Sequence, residues 1–364
     1  MNQKKPPHDW EEPSELEVSG YTEDDGVNPV EQGLLGKLFK LPWIGSKPDD
    51  HDKGRELRRA VRAQDMEKVR KMLAQGVGVN ESQEASLACI ATRRQNLNLL
   101  KILIDASVDI NASDKRNKAS KSRTPLMEAA RKGWIEGVDL LIKEKCNLEF
   151  ADESGYTALH LAVRSGKGEV VKQLLRAGAL ASGNPKCRLL PIHEAATPEI
   201  LADLLNHGSS ISDLDKMGAT SLHHQVRAGR PAMVEHLIRM GSDINALDYQ
   251  GRTPIFYLST KGDTEMVFKV LRRENAQLDV RDHDMNSFAH LVASRCIHAK
   301  TIEMAFDASI DLWNQKNHNG ETPYDLVASR GFHQIAQKIK KELQIKKSKE
   351  ELKEESTFSV YKKK

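Results

Sequence analysis

Residues 156–166 read YTALHLAVRSG, and the phrase returns as RTPLMEAARKG at 123–133, ATSLHHQVRAG at 219–229, RTPIFYLSTKG at 252–262 and ETPYDLVASRG at 321–331. Their fourth residues, Leu126, Leu159, Leu222, Ile255 and Tyr324, lie 33, 63, 33 and 69 positions apart. The chain therefore has a period near 33 residues, with further units inside the two long steps. Weaker copies fill them: LLPIHEAA places Ile192 33 residues after Leu159, and NSFAHLVA places Ala289 34 after Ile255. Two more precede, around Leu57 and Leu87, for about nine units from Arg55 to roughly Lys341. One such unit cannot bury its own apolar face, so stacked neighbours must make the core.

Within a unit the residues predict two short helices and a turn. Thr124-Pro125, Thr253-Pro254 and Thr322-Pro323 suit a helix start, because Thr caps free backbone N–H groups and Pro occupies a position whose N–H needs no partner. Small residues such as Ala129, Ala130 and Ala162 allow close backbone approach. Gly133, Gly166, Gly229, Gly262 and Gly331 then end the first helix. The second helices carry apolar residues at helical spacing, as in Val170, Val171, Leu174 and Leu175. Between units, the tetrads Asp152 to Gly155, Asp215 to Gly218 and Asp248 to Gly251 read as tight turns in which Asp bonds its own backbone.

Composition agrees. In 364 residues, 39% are apolar but only 5% aromatic, which suits many small interfaces better than one core of large rings. The net charge of +3 is too balanced to mark a nucleic-acid binder. The ends are polarised: residues 1–53 carry twelve acidic and six basic side chains, and residues 336–364 carry ten basic and five acidic. Cys89, Cys146, Cys187 and Cys296 are widely spaced with no CxxC pair, which argues against a disulfide framework or a structural zinc. No apolar run approaches a membrane span and no apolar leader opens the chain, so a cytoplasmic protein of a reducing compartment is expected.

The segments TPLMEAA, TALHLAV, TPIFYLS and TPYDLVA, with the phrases GSDIN, SVDIN and GVGVN, resemble ankyrin repeats. The resemblance covers residues 54–341. It implies an all-α repeat protein, an ankyrin-repeat solenoid of helix-turn-helix units with β-hairpin-like finger loops. It also implies that His160, His193, His223 and His290 make hydrogen bonds within and between repeats.

Four departures from the pattern stand out, and the last three put regular stacking in doubt. The step from Leu87 to Leu126 is 39, and the excess falls on the basic stretch KRNKASKSR at 115–123, read as an elongated, mobile finger. The fifth unit is three residues short because TPEILADLL replaces its connector. In the eighth unit Met285 stands at the turn glycine, and in the sixth Gln225 replaces a small alanine.

Catalytic signatures are missing. His193 and Glu194 begin like a zinc-protease helix without the second histidine, and neither a GxSxG elbow nor a GxxxxGK[ST] loop occurs. Adjacent His223 and His224 point about 100° apart on a helix, poor geometry for one metal. Cys89 and Cys296 sit where a small buried residue is expected. No enzyme, no cofactor and no metal is therefore expected.

Partner contact is the expected chemistry. The resemblance implies that fingers and exposed first-helix positions meet partners, here Arg123, Arg131, Lys132, Glu153, Ser154, Tyr156, Arg164, Lys216, Met217, Arg227, Tyr249, Gln250, Arg252, Lys261, His283 and Asp284. This predominantly basic set favours a protein with an acidic surface. Nucleic acid is disfavoured because no stacking aromatics are interleaved among the cations. Tyr156, Arg164, Arg227, Tyr249 and Arg252 are the expected hot spots.

The flanks hold separate elements. Residues 1–32 are acidic, contain proline and read as disordered. Residues 33–53 contain GLLGKLFKLPWIGS, where Leu34, Leu35, Leu38, Phe39 and Leu41 would share one helix face before Pro42 and Trp43. Capping of the first repeat, docking in a partner and contact of Leu34, Leu38, Phe39 and Trp43 with a membrane surface all remain open. Residues 342–364 form a charged tail. Its cluster EELKEE at 350–355 is similar to the glutamate-rich signals of effectors that bacterial type IV systems secrete into host cytosol, and its lysines leave a nuclear signal open. The leading reading is a non-enzymatic adaptor; an injected effector and a peripheral membrane adaptor are the alternatives.

Overall fold

A computed structural model describes residues 48–361, apart from 81–85, 115–121, 184–186, 188, 259–261 and 297. The expectations for residues 1–32, for the amphipathic face around Leu34, Leu38, Phe39 and Trp43, and for most of the basic finger at 115–123 lie outside those residues. The division falls at Lys47, and residues from Pro48 onward form one body.

Nine pairs of helical elements follow one another. The regular pairs are α1 (Pro48–Ala63) with α2 (Met66–Ala74), α3 (Leu87–Arg93) with α4 (Leu97–Asp105), α5 (Pro125–Lys132) with α6 (Ile135–Lys143), and α7 (Ala158–Arg164) with α8 (Gly168–Arg176). In the fifth unit a 3-10 turn, Pro191–Glu194, precedes α9 (Pro198–Asn206). The sixth holds α10 (Ser221–Arg227) and α11 (Pro231–Arg239). The seventh has a second 3-10 turn, Pro254–Tyr257, before α12 (Thr264–Arg273). The last units hold α13 (Phe288–Arg295) with α14 (Ala299–Ala308), then a 3-10 turn Ile310–Asn314, then α15 (Pro323–Ser329) with α16 (His333–Tyr361). First elements pack on first elements from α1 to α15, and α6 packs on α8, α8 on α9, α11 on α12, α12 on α14 and α14 on α16. The core is the continuous apolar layer between those two rows.

The caps follow from the sequence. Thr124 Oγ1 accepts from Met127 N at 3.4 Å and Thr197 Oγ1 from Ile200 N at 3.4 Å, while Thr322 and Asp325 form a reciprocal box. The Asp tetrads are the expected turns: Asp152 Oδ1 accepts from Ser154 N and Tyr156 N, and Asp215, Asp248 and Asp282 repeat the arrangement. The fingers are loops rather than strands. Two isolated bridges, Asp114 with Arg123 and Arg281 with Ser287, are the β-pairing among the described residues.

Three of the four departures acquire physical accounts. In the fifth unit the helix stops after one turn because Ala195 leaves helical geometry and Thr197 is extended before Pro198, a residue pair that disfavours helix. Gln225 then supplies what the shortened turn lacks: buried in α10, it donates from Nε2 to His193 O and Ala195 O, each at 3.1 Å. Met285 keeps the eighth finger in its turn at φ 61°, a left-handed conformation that costs an L side chain about 1–2 kcal/mol.

The seventh unit differs from expectation. Its first helix ends at Tyr257, not at Gly262. Leu258 turns out of the helix and is buried, and the chain then runs against the backbone of the sixth unit, where Asp263 N donates to Gly229 O at 2.9 Å. The approach requires glycine: a Cβ on Gly262, at φ 64°, would lie 2.5 Å from Gly229 O.

Candidate protein-binding face

The described residues expose two rows, one along the first elements and one at finger tips. Histidines hold these rows in register. His160 Nδ1 accepts from Thr157 N, which places its proton on Nε2, and Nε2 donates to Leu189 O of the next unit at 3.1 Å. His193, His223 and His290 do the same toward Asp213 O, Arg252 O and Glu321 O. Burial lowers the basicity of all four rings, that of His160 to about 4. Cys89 occupies the equivalent place in the second unit and donates from Sγ to Arg123 O at 3.4 Å. Burial pushes its thiol up to about 12, so it is a structural donor rather than a nucleophile.

The additional histidine, His224, is buried against Asp215, its Nε2 donating to Oδ2 at 2.9 Å. Burial holds it neutral, with a pKa near 4, against the opposing pull of that carboxylate. Tyr257 fills the same position one unit later and donates to Asp248 at 2.7 Å. These are paired positions of a scaffold. Among the described residues no group of three or more His, Cys, Asp or Glu is arranged for a metal.

On the first-element row, Arg93, Arg131, Arg164 and Arg227 each stand seven residues after the N-cap of their helix, in units two, three, four and six. Three of them rest on carboxylates from which water is largely excluded. Arg93 Nη2 meets Asp114 Oδ2 at 2.7 Å, Arg131 Nε and Nη2 meet Glu128 Oε2 at 3.3 and 3.1 Å, and Arg164 Nε lies 3.8 Å from Glu194 Oε1. The carboxyl groups are 2%, 3% and 15% exposed, whereas the arginines are 32%, 41% and 47% exposed. Largely buried anions thus anchor arginine side chains that stay one-third to one-half exposed, the residue type best suited to planar recognition of carboxylates. Arg164 also lies over the Tyr156 ring, 5.9 Å from its centroid.

Other residues expected at this face turn inward. Arg123 points at Glu128, 3.7 Å away, with a side chain 15% exposed, and Arg252 donates to Asp282 at 3.1 Å with 18% exposed. Tyr156 is partly buried, and burial raises its phenol pKa. Lys132 reaches back to Arg93 O at 2.6 Å, where a cation favours the C-terminus of the preceding helix. Arg330 serves α13 in the same way through Ala293 O and Cys296 O. Arg227 is half-buried on α10, away from the arginines of units two to four because the fifth unit intervenes.

At the finger tips, Tyr249 N donates to Met217 O, His283 N to Gln250 O and His318 N to Asp284 O, at 2.9 to 3.0 Å. The Tyr249 ring covers Gly218 so closely that a Cβ there would come within 2.6 Å of it, and the His283 ring lies over Gly251 in the same manner. Tyr249 is 64% exposed and Leu247 59%, with Leu214 and Met285 also open to solvent. Lys216, His283 and Asp284 are exposed and Met217 and Gln250 partly so; Glu153 is exposed and accepts from Ser122 Oγ, and Ser154 is half-buried. Lys261 lies outside the described residues. Of the expected contacts, Arg131 and Arg164 join Arg93, which the sequence did not single out, in an arginine row over units two to four, and Met217, Tyr249 and His283 lie on an apolar, aromatic finger row in units six to eight. Leu214 and Leu247, not anticipated from sequence, precede the finger aspartates and were legible only as loop positions.

No described helix is long and apolar enough to cross a membrane. Comparisons with known proteins point to one architecture. A sequence model described as ankyrin repeats (three copies) matches residues 88–184 and 192–284. A putative ankyrin repeat protein of Fowlpox virus (strain NVSL) is 28% identical over 171 residues, covering 39% of this chain and 28% of that protein. The potassium channel AKT2/3 of Arabidopsis thaliana is 32% identical over 130 residues, covering 35% of this chain and 15% of the channel. The chain thus spans under a third of either relative. The crystal structure of the human ASB11 ankyrin repeat domain superposes with a TM-score of 0.51 at 23% identity, covering 61% of this chain and 96% of that domain.

Proposed function

This chain belongs to the ankyrin repeat family, and from that premise we propose that it is a non-enzymatic scaffold that binds a protein with an acidic surface. Ankyrin repeats are generally protein-interaction modules, and the residues of this chain specify the chemistry of the interaction. The observation that carries the reading is the row of Arg93, Arg131 and Arg164 at repeat-equivalent positions, each beside a carboxylate more buried than itself. A guanidinium fixed in this way loses little side-chain freedom on binding, so more of its contact energy appears as affinity. The finger row around Leu247 and Tyr249 supplies apolar area beside it.

The test is binding of a partner recovered by proximity labelling to the intact chain and to an Arg131→Ala, Arg164→Ala variant, across a salt series. The variant is expected to lose at least tenfold in affinity, and binding to the natural chain is expected to weaken with salt. Equal, salt-independent binding by both proteins would remove the acidic-partner reading.

A further inference from the structure

The first-element row is periodic, and its period selects a ligand shape. Units two, three and four each place one arginine on neighbouring packed helices, α3, α5 and α7. Packed helices lie about 8–10 Å apart. An extended chain in the polyproline conformation rises about 3.1 Å per residue and has three residues per turn, so every third side chain returns to the same side after about 9 Å. The two periods match. An α-helix laid along the row would meet it only with every second turn, at i and i+7, about 10.5 Å apart, so the extended form uses the shorter segment.

We propose that Arg93, Arg131 and Arg164 bind an acidic peptide segment in extended, polyproline-like form, taking carboxylates at positions i, i+3 and i+6, one per unit. This rests on the acidic-partner reading above and adds its register. Charge supports the occupant: on this face the five cations Arg93, Arg94, Arg131, Lys132 and Arg164 outnumber the three carboxylates Asp114, Glu128 and Glu194. Geometry supports the length. The fifth unit breaks the row, because the seventh position after its N-cap is Thr197, itself the cap of α9. A segment reading three units therefore ends there, short of Arg227.

The experiment uses the intact chain and three labelled, terminally blocked peptides of identical composition, each with three glutamates and interspersed prolines, at low ionic strength. The glutamates are placed at every second, every third or every fourth residue. The every-third peptide is expected to bind at least tenfold tighter than the others. Arg131→Ala is expected to abolish that preference, and Arg227→Ala to leave it intact, with circular dichroism confirming that both variants fold. Equal binding of all three peptides would overturn the register while leaving the acidic-partner reading standing. No binding by any of them would overturn both.

Discussion

Units two to four and units five to seven are built from the same phrase but hold their first elements in place differently. In the former, α3, α5 and α7 are complete and lie on one another through small residues such as Ala129, Ala130 and Ala162, all fully buried. In the latter, α10 stands between two single 3-10 turns. Side chains of α10 reach across on the fifth-unit side, Ser221 to Ile192 O and Gln225 to His193 O and Ala195 O. On the other side backbone meets backbone at Gly229 and Gly262. A repeat can lose helical turns where its neighbour supplies the missing hydrogen bonds. In the fifth unit the loss also removes the position that an arginine would occupy, so the regular stretch carries three consecutive arginines and Arg227 of unit six stands apart from them.

The greatest effect is expected from pH, because it acts on several buried rings together. His160 and His224 are held neutral by burial with pKa values near 4, below the ordinary 6.5. As pH falls from 6.5 toward 4 the unfolded chain takes up protons that the folded chain refuses, so stability is full above 6.5 and declines through that window. Urea unfolding at pH 7 and pH 5 should show a lower midpoint at pH 5. The irregular stretch, which holds His193, His223 and His224, should yield first; simultaneous loss in both stretches would erase the distinction drawn here.

Gly262→Ala comes next, at about 3 kcal/mol or more, since the new Cβ would meet backbone oxygens and the residue would hold a positive φ. Gly166→Ala in unit four meets nothing within 4 Å and should cost only about 1–2 kcal/mol from backbone strain. Comparable losses in chemical denaturation would contradict the close approach described at unit seven. Gln225→Ala should cost about 2 kcal/mol by leaving two buried carbonyls unpaired. The reciprocal Ala162→Gln, at the equivalent place beside a full helix, should also destabilise, by about 1–3 kcal/mol through overpacking. The smallest effect, and the one stabilising change, is Met285→Gly, a gain of about 0.5–1 kcal/mol measured by thermal unfolding.

Much of this architecture was legible in the sequence because its determinants are local. The Thr-Pro caps and the Asp tetrads each depend on residues a few positions apart, and the 33-residue spacing repeats them. What escaped depends on distant partners. Arg252 and Arg123 occupy positions that face solvent in the phrase, but Asp282, thirty residues on, draws Arg252 inward, and Glu128 and burial do the same for Arg123. Cys89 was read as a small buried residue, although its Sγ takes over the donor role of the histidines. Trp313, fully buried and edge-on to Phe306 at 5.5 Å, lies in the last 3-10 turn, where five residues carry no helical period to reveal it. For the same reason, the arginine row reads in the sequence as scattered cations, because the carboxylates beside Arg93 and Arg164 lie 21 and 30 residues further on.

The finger contacts of Tyr249, His283 and His318 give loops a property usually reserved for helices. Each of these amides donates to a carbonyl of the preceding finger. In a hydrogen-exchange experiment their protons should outlast those of ordinary surface turns, and their release should require two adjacent fingers to part. Units six to nine would then report the separation of neighbouring repeats through three loop residues, visible without unfolding a single helix.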